Sequence, residues 1–87
     1  MPILDSTPNR FIGLDVHKHY LVATGVDPKG NQVFGPQQVT NQMLEVWIPK
    51  VLTHQDAVVL EMTTNTWKMH DLLKPYVHSV TVVHPPH

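Results

Sequence analysis

From Arg10 to Val16 the chain reads Arg-Phe-Ile-Gly-Leu-Asp-Val, which in an extended segment puts Phe11, Gly13 and Asp15 on one side and Ile12, Leu14 and Val16 on the other. With both sides mostly apolar, this is the pattern of a central strand. A second extended run covers His19 to Val26 and a third covers Gln32 to Val39. Between them lies Asp27-Pro28-Lys29-Gly30, with Pro at the second and Gly at the fourth position of a type I turn. The three runs therefore predict an antiparallel meander. Asn41 then stands where a helix cap is expected, ahead of a broad apolar stripe of Met43, Leu44, Trp47, Ile48, Val51 and Leu52. Pro49 falls inside this helix and is expected to kink it or end it near Ile48, because proline lacks the amide donor and crowds the preceding turn. Ala57-Val58-Val59-Leu60-Glu61 is a short branched run that reads as a fourth strand ending in an acid. Thr64 or Asn65 is placed to cap a second helix with a stripe of Met69, Leu72, Leu73 and Tyr76, closed by Pro75. Val77 to Val83 reads as a last strand before Pro85-Pro86.

The order β-β-β-α-β-α-β predicts an α/β fold, a mixed sheet with helices on its faces. Residues 1–9 are polar, contain proline and are expected to form a flexible segment, and residues 10–87 show no repeat and no internal boundary. At 87 residues, such a domain is expected to be marginally stable unless further polypeptide or a second copy covers one face. The absence of cysteine excludes disulfides and thiolate metal sites, and suits a reducing compartment. No apolar run reaches the roughly 20 residues that span a bilayer, and Met1 to Arg10 has no signal-peptide pattern. The expectation is a soluble, cytoplasmic protein. A net charge of −1 provides no general attraction for nucleic acid, so any such binding must come from local geometry.

Asp15 is the position that calls for chemistry. A carboxylate desolvated in a strand is costly unless a metal ion, a cation or a catalytic role accounts for it. In the predicted sheet the later strands run parallel to the first, and ligands collect beyond the carboxyl ends of parallel strands. Asp15 and Glu61 both lie at such ends, and they converge if the first and fourth strands are neighbours. Two carboxylates there repel unless a cation bridges them, and oxygen-only ligation suits Mg²⁺ or Mn²⁺. A hard divalent ion between paired acids serves phosphoryl transfer, although a two-metal site needs about three or four acids. The plainer reading of Asp15 is a strand-end acid satisfied by backbone donors or by Lys18; that of Glu61 is a solvated strand terminus. Lys18 either contacts phosphate or pairs with an acid. His17 and His19 would extend an Asp-x-His-x-His metal face if the strand ran on, whereas a bend after Asp15 would break it. Trp67 lies off its helix's apolar stripe, as a packing anchor against the remainder of the domain or as a nucleic-acid or subunit contact. Thr63 either hydrogen-bonds the Glu61 region or caps the helix, the cap being the preferred reading. Asp5, Asp27, Glu45, Asp56 and Asp71 read as turn, cap and surface acids.

Taken together, Gly13-Leu14-Asp15-Val16-His17-Lys18, Glu61-Met62-Thr63, Trp67 and Val83-His84-Pro85 resemble, in order and spacing, the motifs of the DEDD transposases of the insertion-sequence 110 group. The N-terminal domain of that family is RuvC-like, with a ribonuclease H-like fold. Thr64 stands where many members have glycine. The resemblance implies that residues 10–87 are the first part of a ribonuclease H-like catalytic domain, incomplete at its C-terminal side, with Asp15 and Glu61 as catalytic metal ligands. The family's other two acids lie in a Lys-Thr-Asp segment beyond the Val-x-Pro strand end, so this stretch alone is expected to be inactive. It further implies Mg²⁺-dependent cleavage and rejoining of DNA by a homo-oligomer, a serine-bearing C-terminal domain and a structured guide RNA. Two other readings remain. One is half of an actin-like ATPase or sugar kinase, whose first strand also ends in an acid but is followed by small residues rather than Val16, His17 and Lys18. The other is a non-catalytic module that pairs with itself through an apolar helix stripe or an open sheet edge.

Overall fold

The computed structural model describes residues 7–61 and 66–83. Within them, β1 (Arg10–Val16), β2 (Tyr20–Val26), β3 (Gln32–Thr40), α1 (Leu44–Val51), β4 (Asp56–Glu61), α2 (Thr66–Leu73) and β5 (Ser79–Val83) follow in the expected order. The α/β reading holds. Short 3₁₀ turns, Asn41–Met43 and Lys74–Tyr76, precede α1 and follow α2. The residues proposed as the second helix's cap, Thr64 and Asn65, lie outside the described residues, as do Met62, Thr63 and His84 to His87.

The strands form one five-stranded mixed sheet in the order β3-β2-β1-β4-β5. β1 is central, antiparallel to β2 and parallel to β4, as its two apolar sides predict. β2 pairs antiparallel with β3, and β4 pairs parallel with β5. Helices do not cover both faces, however. The chain crosses from β3 to β4 and then from β4 to β5, moving the same way along the sheet each time. Right-handed crossovers in one direction put both helices on one face. That face carries Ile12, Leu14, Leu21, Ala23, Val39, Val58 and Leu60, which join Leu44, Trp47, Ile48, Leu52, Met69, Leu73 and Val77 in a single buried core. On the other face Phe11 and Val59 are each 39% exposed, and Val83 is 37% exposed.

Local departures from the expected elements have simple causes. α1 runs through Pro49 to Val51 instead of ending near Ile48. Pro49 sits so close to the C-terminus that few helical bonds are at stake, and Leu52 N still donates to Ile48 O at 2.9 Å. Asn41 does not cap the helix; its side chain donates to Lys18 O at 2.9 Å and its backbone N to His19 O at 3.0 Å, tying the β1–β2 turn to the start of the 3₁₀ turn. Met43 and Tyr76, assigned to apolar stripes by spacing, are 52% and 41% exposed.

Candidate functional site

Leu14 pairs with Leu60 in the parallel β1–β4 ladder, so Asp15 and Glu61 follow at the same level of adjacent strands. Side chains alternate across a strand, which sends both acids to the open face while Leu14 and Leu60 enter the core. There they border one shallow hollow of about 480 Å³, floored by Gly13, Val22, Thr24 and Val59. A Cβ at Gly13 would meet nothing within 4 Å, so this glycine leaves space above the sheet rather than easing a close contact. The two predicted acids are thus brought together.

Their environment differs from the sequence expectation. The Asp15 side chain is 68% exposed, so no desolvation demands a partner. Its neighbour is not Lys18 but His17, whose Nε2 stands 3.2 Å from Asp15 Oδ2. The His17 ring also stacks on Tyr20, with centroids 4.6 Å apart and planes at 18°. β1 ends at Val16, and His17 N donates to Tyr20 O at 2.8 Å, closing a tight turn with Lys18 and His19 at its tip. The turn takes His19 out of line with Asp15 and His17, so the projected Asp-x-His-x-His alternation is broken. Lys18 is exposed at that tip. Trp67 is 61% exposed, and its ring contact among the described residues is with His70, edge-on at 5.5 Å. Glu61 is tied to the start of α2 through its carbonyl, which accepts from Thr66 Oγ1 at 3.4 Å.

Two solvent-facing carboxylates on adjoining strand ends are oxygen donors of the kind a hard divalent cation takes, and Asp15 and Glu61 are the residues that would hold it. No group of three or more His, Cys, Asp or Glu side chains placed to hold a metal ion occurs among the described residues.

Among the described residues the buried acid is Asp56, which the sequence reading assigned to a turn, cap or surface. It is fully buried at the amino end of β4. Arg10, its cross-strand partner in register, donates to it twice, Nε to Oδ1 at 2.7 Å and Nη2 to Oδ2 at 2.8 Å. Thr53 N adds a third bond to Oδ2 at 2.8 Å. Hydrogen bonding to Asp56 pushes the Arg10 guanidinium above its ordinary pKa, against the opposing effect of burial. With its oxygens satisfied, Asp56 is a structural acid. Its signal in sequence was Arg10 at the same end of a neighbouring strand. A larger cleft of about 640 Å³ opens on the helix side between Leu44, Met69 and Leu72, rimmed by His17, Glu45, Lys68 and Asp71. No acid pair converges there from strand ends.

Set against known protein families and curated proteins, the chain matches no family model and no curated sequence. No helix among the described residues is long and apolar enough to cross a membrane.

Proposed function

We propose that this chain is the first part of a ribonuclease H-like catalytic domain of a DEDD-type DNA transposase, with Asp15 and Glu61 as two of its metal ligands. The observation that carries this reading is the placement of the two acids at the same level of adjacent parallel strands, on the open face of the sheet. A meander continued by two parallel strands, with β1 in the centre, is compatible with it. Mg²⁺ or Mn²⁺ in such a site would polarise a DNA phosphate and lower the pKa of the attacking water or hydroxyl. The chain's own part is to hold two carboxylates at the same level of adjacent strand ends, beside one open hollow. Their exposed, shallow setting gives an extended polymer access without a closed pocket, which suits DNA as substrate. Lys18 at the nearby turn tip and the exposed Trp67 ring are the residues proposed to contact the nucleic acid, one by charge and one by stacking. A second copy and a structured guide RNA are the partners this reading entails.

The test is made in the full-length protein. Asp15→Asn and Glu61→Gln are each expected to lower Mg²⁺-dependent strand cleavage by about a hundredfold or more, since a metal contributes several kcal/mol of transition-state stabilisation. The melting temperature should stay unchanged, because both side chains are exposed. Cleavage that survived both substitutions together would refute the assignment.

A further inference from the structure

We infer that His17 is a positioning residue for Asp15, its imidazole holding one carboxylate oxygen so that the other faces the hollow shared with Glu61. The inference rests on the proposed role of Asp15 as a cation ligand. An exposed aspartate on a strand end samples several rotamers, and ordering it costs free energy whenever a cation binds. Here Oδ2 already has a neighbour, His17 Nε2 at 3.2 Å.

His17 is itself held in place. Its ring stacks on Tyr20, its backbone N donates to Tyr20 O, and the turn that follows is pinned by both bonds from Asn41. None of this depends on burial, since the imidazole is 43% exposed and the carboxylate 68%. A polar group that orients a ligating carboxylate typically changes metal affinity by 10–100-fold when removed. Sequence spacing explains why His17 can do this and His19 cannot. His17 is two residues past Asp15, on the same side of an extended segment, and the chain turns only after it.

The experiment titrates this chain with Mn²⁺ and follows paramagnetic broadening of the backbone amides of Asp15 and Glu61. His17→Phe keeps a ring to stack on Tyr20 but removes the nitrogen; it is expected to weaken Mn²⁺ binding about tenfold. His17→Gln restores a donor of similar reach and should stay within about threefold of the unmodified chain. Binding by His17→Phe as tight as that of the unmodified chain would overturn the inference, as would an equal loss in His17→Gln, which would make the imidazole something other than an orienting donor. Asp15→Asn and Glu61→Gln serve as the control: they should abolish the broadening. If broadening persists in both, the metal reading itself fails and the role of His17 falls with it; if they abolish it while His17→Phe does not weaken binding, only the role of His17 is lost.

Discussion

Asp15 and Asp56 lie on neighbouring strands at opposite ends of one parallel ladder, and the structure treats them in opposite ways. Asp56 is fully buried and takes three hydrogen bonds, while Arg10 reaches further to Val51 O at 2.9 Å and lies 5.3 Å above the Phe34 ring. Breaking a buried pair from one side leaves an uncompensated charge, which costs about 3–5 kcal/mol. Arg10→Met is therefore expected to lower the melting temperature by more than about 12 °C, at about 4 °C or more per kcal/mol for a domain of this size. Asp15→Asn should change stability by less than about 0.5 kcal/mol. Thermal denaturation of the two variants side by side checks the contrast, and equal shifts would contradict it.

At the scale of elements, the β2–β3 hairpin shows how local chemistry sets a strand connection. Asp27 Oδ1 accepts from Lys29 N and Asn31 N, both at 2.9 Å, while Gly30 N closes the turn onto Asp27 O. Gly30, at φ 89°, supplies the left-handed residue that lets β3 leave in register. The backbone bond from Asn31 is the main cause of the lowered Asp27 pKa. A depressed carboxylate pKa means that its stabilising bonds are fully present above the ordinary value near 4 and are lost as pH falls through the lower folded value. Acid titration by NMR should therefore move the Lys29 and Asn31 amide resonances with a midpoint below that of an ordinary aspartate. Further along β3, Gly35 has φ 86°, and a Cβ there would run into the Ala23 carbonyl oxygen. Gly35→Ala is expected to cost at least about 1–3 kcal/mol in chemical denaturation, the backbone strain being compounded by that collision. Gly25 answers a different need. The Phe34 ring lies over it, and a Cβ would come within 2.6 Å of Phe34 Cε2.

At the scale of the whole molecule, the decisive fact is that the described residues clothe the sheet on one side. Adjacent residues of β4 report it: Leu60 is fully buried, whereas Val59 is 39% exposed. Leu60→Ala is expected to lower the unfolding free energy by about 2–5 kcal/mol and Val59→Ala by less than about 1 kcal/mol, measured by urea denaturation. Similar losses at both positions would mean that the second face is covered in solution. Much of this organisation was legible in the chain. Alternation in β1 and β4, the Asp27-Pro28-Lys29-Gly30 turn and the stripe of Leu44, Trp47 and Ile48 are local patterns, and local geometry alone sets the period of each. They determined the element order, the central place of β1 and the position of Asp15 and Glu61 at strand ends; that the two acids lie side by side follows from β4 pairing with β1, which is not a local choice. Which face the helices cover is not local, because it follows from the direction of two crossovers through a sheet that exists only once the strands have paired. That choice decided the rest: Asp56 on the covered side became the buried structural acid, and Asp15 on the bare side became the accessible one.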